Sequence, residues 1–313
     1  MSYHLRLPKF EYVPAATAAE ACNLLAANPG EARLLAGGTD LILQLRRREI
    51  RPRYVIGLKG VAELAYVREQ AEGGVTIGGM TTIHTLLTSP LLRGKFEILA
   101  QTAAGIGSPE IRHLATLGGN LAGALPCADF PSALITLGAK VKLQCRQGER
   151  LVPVEDFFAG CGQTVASPSE ILTEIQLPPQ PSLSGGVYLK FHDRHSMDMT
   201  TTGVGAFVIC NDERRTIRDV RIALASSAPV PMRAKNAEAV LRGRSFGEDA
   251  LEEAASLACA EADPRTSWRA TRDFRMELLK TLTKRAIQGA WQKAVSSPEG
   301  KNREKSRAPL FPG

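Results

Sequence analysis

The 313-residue sequence has only six cysteines, Cys22, Cys127, Cys145, Cys161, Cys210 and Cys259, and no two of them form a Cys-x-x-Cys pair. That scatter offers no zinc or iron–sulfur spacing, and a chain this long can bury a core without disulfides. Most of the six read as small core residues. Cys127 lies in a glycine-rich stretch, yet packing is the weightier reading for it too. Nowhere do roughly 18 apolar residues follow one another, so no membrane-spanning helix is expected. The start of the chain holds Arg6, Lys9 and Glu11 with no apolar run, so no signal peptide is expected and the cytoplasm is the expected location. Two nucleotide-binding fingerprints are missing as well. No Gly-Lys-Ser/Thr occurs, which excludes a Walker loop, and the Gly-x-Gly pairs starting at Gly105, Gly160 and Gly203 lack the third glycine of a Rossmann turn.

Aromatic residues make up 5% of the chain and the net charge is +7. A nucleic-acid surface would need the two interleaved. Here the segment from Ser296 to Gly313 supplies +2 of the charge, and the rest is spread apart from Arg46, Arg47, Arg48, Arg51 and Arg53. Those five read as a solvated face or a contact with a partner subunit, and no nucleic-acid partner is expected.

What the sequence does have is paired glycine. Thr116 to Asp129 reads TLGGNLAGALPCAD. Gly118 and Gly119 can place successive backbone N–H groups around an anion, Thr116 adds a hydroxyl and Asn120 an amide. Asp129, an acceptor when ionised, suits sugar hydroxyls better than phosphate, or else caps the helix that follows. A lone Gly-Gly pair is by default a tight turn. A second pair changes this: Ala36-Gly37-Gly38-Thr39-Asp40 sits between Leu34-Leu35 and Leu41-Ile42-Leu43, so strand, turn and helix lie in a row. Thr39 or Asp40 is expected to cap that helix, whose N-terminus would face an anion. Two glycine turns holding one diphosphate is the economical reading.

The segments AGGTDL at 36–41 and IRHLATLGGNLAGALPCAD at 111–129 resemble the flavin-binding (medium) subunit of the molybdenum hydroxylases, the xanthine dehydrogenase, carbon monoxide dehydrogenase and 4-hydroxybenzoyl-CoA reductase family. The resemblance runs from about Phe10 to Ile287. It includes EILTEIQLP at 170–178, YLKFHDRHSMDMTTTGVGAFV at 188–208 and SSAPVPMRAKNAE at 226–238. It implies an α+β fold, with two α/β subdomains of the PCMH type holding FAD and a C-terminal α+β domain behind them. Some relatives carry a cysteine-rich insertion for a 4Fe–4S cluster near this point. Asn120 to Asp129 is short and uninterrupted here, so no such cluster is expected.

Taken in order, Thr17-Ala18-Ala19-Glu20 is a capping box for a helix to about Ala27, ended by Pro29-Gly30. A strand near Ala32–Leu35, the first glycine turn, a helix to about Arg48 and the strand Tyr54–Leu58 make a β–α–β unit with its ligand turn at a strand end. Residues 1–58 are the expected first subdomain. Residues 59–178 are the second, with strands at Val75–Ile77, Lys140–Cys145 and Ile171–Leu177, helices at Ile83–Leu87, Phe96–Ala104 and Pro131–Leu137, and the second glycine turn between the last two helices. Pro178, Pro179, Pro181 and then Ser182 to Gly186 are expected to break regular structure. Residues 187–295 are expected to hold three strands, Val187–Asp193, Gly203–Cys210 and Ile217–Ala225. Three helices follow, Arg233–Leu241, Asp249–Ala262 and Arg272–Lys293, on one face of the sheet. Residues 296–313 read as a disordered tail.

Carried over by position, the resemblance implies that Ala36, Gly37, Gly38, Thr39, Asp40 and Leu41 form the first pyrophosphate loop and Thr116, Gly118, Gly119 and Asn120 the second. Asp129 binds ribityl or ribose hydroxyls, Ile106 and Leu172 flank the cofactor, and Lys190 approaches the flavin ring. A cation at the N1–C2 edge would stabilise the anionic reduced flavin. Without the resemblance, Ile106 and Leu172 are core residues and Lys190 a solvated strand residue. His192 and His195, spaced i, i+3, point to opposite faces and make no metal site; His113 stands beside the loop and is not expected to be catalytic. No side chain need act as acid, base or nucleophile. The implied partners are a 2Fe–2S small subunit and a molybdopterin large subunit, in a dimer of heterotrimers. The alternatives are a stand-alone FAD oxidoreductase such as the UDP-N-acetylenolpyruvoylglucosamine reductases, and a flavin-free scaffold.

Overall fold

The computed structural model describes residues 6–194 and 197–297. The chain opens with β1 (Glu11–Pro14), α1 (Ala18–Ala27), β2 (Ala32–Leu35), α2 (Leu41–Arg46) and β3 (Tyr54–Gly57). The three strands form a parallel sheet in the order β1-β3-β2. The capping box starts α1: the Thr17 hydroxyl accepts from the Glu20 N–H at 3.1 Å, and the Glu20 carboxylate accepts from the Ala16 N–H at 2.8 Å. Its buried Ala18, Ala21, Cys22 and Leu25 lie at i, i+3, i+4 and i+7, one stripe of the helix. The second helix departs from expectation at both ends. Neither Thr39 nor Asp40 caps it through a side chain, and it stops at Arg46 because Arg48 turns into the left-handed region with φ 60°.

The middle of the chain runs β4 (Val67–Glu69), β5 (Val75–Gly78), α3 (Ile83–Thr88), α4 (Glu97–Ala104), α5 (Pro109–Leu114), α6 (Leu117–Ala122), α7 (Phe130–Thr136), β6 (Lys140–Cys145), β7 (Gly148–Pro153), β8 (Phe158–Gly160), β9 (Gln163–Thr164) and β10 (Ile171–Leu177). Its main sheet, β4-β5-β10-β6-β7, is antiparallel throughout. The five helices fall between β5 and β6, and their Leu86, Leu99, Phe130 and Leu134 share one buried cluster with Ile77, Val141, Leu143 and Ile175 of the sheet. The other side of the sheet meets α1.

The last part holds β11 (Ser184–Phe191), β12 (Thr202–Cys210), β13 (Ile217–Ala225), β14 (Met232–Arg233), α8 (Lys235–Leu241), α9 (Glu248–Glu261) and α10 (Arg272–Ser296). The sheet is antiparallel in the order β11-β12-β13-β14, so the expected three strands gain a two-residue edge strand. Ser184, Gly185 and Gly186, expected to interrupt the chain, instead begin β11. A Cβ on Gly185 would stand 2.4 Å from the Lys293 Cβ on α10, so the glycine lets helix and strand close together. The three helices pack on one face, as Leu279, Ile287 and Trp291 cluster with Val204, Ala206 and Val208. The opposite face is covered as well, by α4 and α7 of the preceding region, where Phe207 and Tyr188 join Ile98 and Phe130. With both faces covered, every residue of β12 is buried. Among the described residues no helix is long and apolar enough to cross a membrane. The expected tail begins one residue too early, since Ser296 is helical; from residue 298 on it lies outside the described residues.

Glu238, 1% exposed, ties the last sheet to its helices. It accepts from Arg233 at 2.9 and 2.5 Å, from Arg242 at 3.1 Å and from the Ile222 N–H of β13 at 2.9 Å. Removing Glu238 leaves the buried Ile222 N–H without its acceptor, while Arg233 keeps Glu155 and Arg242 keeps Asp219, so Glu238→Leu should cost about 1–3 kcal/mol. A lowered urea midpoint at unchanged m-value checks it.

Candidate functional site

The loop after β2 is shaped by contact with main chain. A Cβ on Gly37 would stand 2.1 Å from the Leu114 carbonyl oxygen and 2.9 Å from the Ala115 Cα. Gly38 follows with φ 73°, a conformation that L side chains adopt rarely. The loop therefore lies directly on the junction between α5 and α6.

The second glycine segment is not the open turn the sequence implies. Thr116 is the N-cap of α6, its hydroxyl accepting from the Gly119 N–H at 3.1 Å, and Gly118 and Gly119 occupy the first helical turn. The capping threonine and the apolar pair Leu117 and Leu121, both fully buried, favour a short helix over a loop. Gly118 donates its N–H to the Gly79 carbonyl at 2.9 Å. A Cβ on Gly118 would meet that oxygen at 2.6 Å, and one on Gly79 would meet the Leu172 carbonyl of β10 at 2.4 Å.

These approaches bring the two segments together. A Cβ on Gly119 would lie 3.7 Å from the Ala36 Cβ, and one on Gly123 would lie 3.6 Å from Asp40 Oδ2. Two side chains at this junction are left with unmet needs. The Asn120 Oδ1 is buried and has no hydrogen-bond partner among the described residues, so it calls for a donor from outside the chain, such as a sugar hydroxyl. The Asp40 carboxylate has no hydrogen bond or ion pair among them either, and burial pushes its carboxyl above the usual range.

A second corner forms where α7 meets β11. Asp129 precedes α7 without capping it through its side chain. Instead it accepts from the Tyr188 hydroxyl at 2.6 Å, the Thr200 hydroxyl at 2.5 Å and the Lys190 ammonium at 2.9 Å. Ile106 belongs to the same corner through its neighbour, for a Cβ on Gly105 would stand 3.3 Å from the Lys190 Cε. Cys127 lies between the corners. Burial first, and then the charge of Asp129, pushes its thiol up and keeps it protonated.

The structure thus brings Ala36 to Leu41 against Thr116, Gly118, Gly119 and Asn120, sets Leu172 behind them through Gly79, and pairs Asp129 with Lys190 beside Ile106. Sequence reasoning missed Gly79, Tyr188 and Thr200. Gly78-Gly79 is one of five Gly-Gly pairs in the sequence and nothing local separates it from Gly73-Gly74; Tyr188 and Thr200 fall within the 188–208 segment, where nothing singles them out. His113, exposed on α5, stacks on the half-buried His84 with ring centroids 3.8 Å apart. His195 lies outside the described residues, and among those described no group of three or more His, Cys, Asp or Glu could hold a metal.

The chain matches known families along most of its length. Residues 8–180 match the family described as the FAD binding domain in molybdopterin dehydrogenase, and residues 187–290 match the CO dehydrogenase flavoprotein C-terminal domain. The chain is 34% identical over 291 residues to the putative xanthine dehydrogenase FAD-binding subunit of Escherichia coli (strain K12), covering 93% of this chain and 97% of that one. It is 32% identical over 288 residues to the carbon monoxide dehydrogenase medium chain of Hydrogenophaga pseudoflava, covering 92% and 99%. A solved structure of carbon monoxide dehydrogenase from that organism superposes with a TM-score of 0.89, again at 32% identity over 92% of this chain and 99% of that one.

Asp40 gives a pH prediction. An acid whose folded pKa lies above its unfolded value costs stability when ionised; the cost is present above the folded value and disappears as pH falls to the unfolded one. Asp40→Asn should therefore raise the melting temperature of the ligand-free chain at pH 7 and have less effect toward pH 4. A melting-temperature series over pH, with equal values for both chains at pH 7 as the contrary result, checks it.

Proposed function

The chain belongs to the FAD-binding medium subunits of the molybdenum hydroxylases, and on that premise we propose that its FAD lies along the line from the Ala36–Leu41 loop to the Asp129–Lys190 corner. The observation that carries this is the meeting of two glycine segments, distant in sequence, around an orphaned Asn120 Oδ1. The residues present fit the group. Ala36, Gly37, Gly38, Thr39, Asp40 and Leu41 on one side and Thr116, Gly118, Gly119 and Asn120 on the other hold the diphosphate and its sugar, with Asn120 receiving a hydroxyl. Asp129 stands by the ribityl chain, Ile106 and Leu172 flank the ring system, and Lys190 directs its ammonium to the ring edge.

Bound there, FAD supplies the redox chemistry, exchanging electrons between the iron–sulfur clusters of a partner subunit and an external carrier. This chain's own work is to bind, orient and set potential, and no side chain acts as acid, base or nucleophile. Its partners are a 2Fe–2S small subunit and a molybdopterin large subunit, assembled as a dimer of heterotrimers. The match of residues 187–290 to a flavoprotein C-terminal domain favours this over a stand-alone oxidoreductase. We divide the chain at 1–58, 59–178 and 187–295, following the three larger sheets, and place it in the cytoplasm, consistent with six free cysteines.

The test is an absorbance spectrum of the purified chain with added FAD, followed by release and identification of the bound cofactor. Equimolar FAD is expected. Gly119→Trp, whose ring would fill the gap toward Ala36, should abolish flavin uptake while far-ultraviolet circular dichroism stays unchanged. Full flavin content in that variant would sink the assignment of the loops.

A further inference from the structure

Asp129 is a crowded carboxylate. One oxygen accepts from two hydroxyls, Tyr188 at 2.6 Å and Thr200 at 2.5 Å, and the other from the Lys190 ammonium at 2.9 Å. An ionised carboxylate offers about four lone-pair sites and no donor, so three are filled and both hydroxyls must donate. The group is sequestered, with Asp129, Tyr188 and Thr200 at 7, 9 and 3% exposure.

Backbone economy around it is specific. Gly203 faces Lys190 across the β11–β12 ladder. A Cβ there would stand 2.5 Å from the Tyr188 Oη and 3.2 Å from the Thr200 Cγ2, while one on Gly105 would stand 3.3 Å from the Lys190 Cε. Two glycines thus clear the volume in which the four side chains meet. Burial, reinforced by the charge of Asp129, holds the Tyr188 phenol well above its ordinary value, so it is a fixed donor at neutral pH.

We propose that Tyr188 and Thr200 are positioning residues for the flavin: their hydroxyls share the charge of Asp129 and thereby set how much of the Lys190 ammonium's charge reaches the ring edge. The inference rests on the FAD reading given above. Hydrogen bonds from neutral donors stabilise a carboxylate and spread its charge, so the carboxylate competes less strongly for the ammonium. Removing one hydroxyl returns that charge to Lys190, neutralises the cation more fully and leaves the anionic reduced flavin less stabilised. Among the described residues the further ionisable group whose field reaches Tyr188 is Cys127; Asp40 and Arg269 act in turn on Cys127, Arg275 donates to the Thr201 carbonyl beside Thr200, and none of them bonds to Asp129.

The test is spectroelectrochemistry of the bound flavin in the full complex, for wild type, Tyr188→Phe and Thr200→Val. Each variant should keep its FAD and show a lower potential at neutral pH. The expected size is a tenfold change in the ratio of affinities for reduced and oxidised flavin, about 30 mV for a two-electron couple. In an Asp129→Asn background the hydroxyl substitutions should have no further effect, because they act through that carboxylate. Equal potentials in all three chains with FAD bound overturn the inference, as does an undiminished effect in the Asp129→Asn background. If that background does not retain FAD, the potentials of the single variants decide. If neither single variant retains FAD, the network is a fold element and the proposal fails. A wild-type complex without FAD would overturn the FAD reading instead.

Discussion

The site depends on main chain approaching main chain more closely than any side chain permits. Gly37 rests on the Leu114 carbonyl, Gly118 on the Gly79 carbonyl, and Gly79 on the Leu172 carbonyl, each leaving less than 3 Å for a Cβ. Read as a series, these contacts run from the loop after β2, through the junction of α5 and α6, to β10. Hydrogen bonds fix the last two steps, Gly118 N–H to Gly79 at 2.9 Å and Gly79 N–H to Thr173 at 2.8 Å. A methyl group at any of these positions would force packed main chain apart, and at Gly37 it would part the loop after β2 from the α5–α6 junction. That is a stronger demand for glycine than a turn makes, since a turn could be rebuilt with asparagine or aspartate.

Lys190 reaches the same site from a third sheet, and packing explains how. Helix α7 docks on β12, where Gly205 admits the Ser132 carbonyl to 3.1 Å of its would-be Cβ. Asp129 directly precedes that helix. Docking α7 therefore delivers the carboxylate to β11, where Tyr188 and Lys190 stand two residues apart on one face of the strand. A salt bridge at 2.8 Å between Lys293 of α10 and Glu97 of α4 joins the same two regions at their rim. The C-terminal region is thus a wall of the site as well as a support behind it, and the position of the cation is set by how two independent cores meet.

Much of this was legible in the chain. The alternation of Lys140–Cys145 and the capping box at Thr17 to Glu20 identified their elements, and Gly37-Gly38 and Gly118-Gly119 marked the two segments that the fold brings together. The misreadings share a physical cause. Gly118 and Gly119 looked like turn residues because glycine lowers helix propensity, but Thr116 capping and burial of Leu117 and Leu121 outweigh about 1 kcal/mol per glycine. Gly185 and Gly186 looked like breakers although they are the thin part of a buried strand. In both cases tertiary packing decides, and a local reading cannot register it. Tyr188 and Thr200 were invisible for a related reason: their meaning lies in a shared partner 59 and 71 residues away.

The N-terminal sheet poses a question of stability that the site answers. Its core mixes the small residues Ala15, Ala18, Ala21, Cys22 and Ala32 with Leu25, Ile56, Leu58, Val61 and Leu64, and it borrows Ile171 from the neighbouring sheet. It is much the smallest of the three buried clusters and buries correspondingly little apolar area. It also carries Asp40, whose burial disfavours its charge, and faces Asn120, whose buried oxygen lacks a partner; both weaken the chain without its ligand. A cofactor that spans the two glycine segments would satisfy these groups and tie the small sheet to the larger body. Its binding free energy would then add to folding, and on the proposed site the residues least favourable to the empty chain are those that would gain most from the flavin.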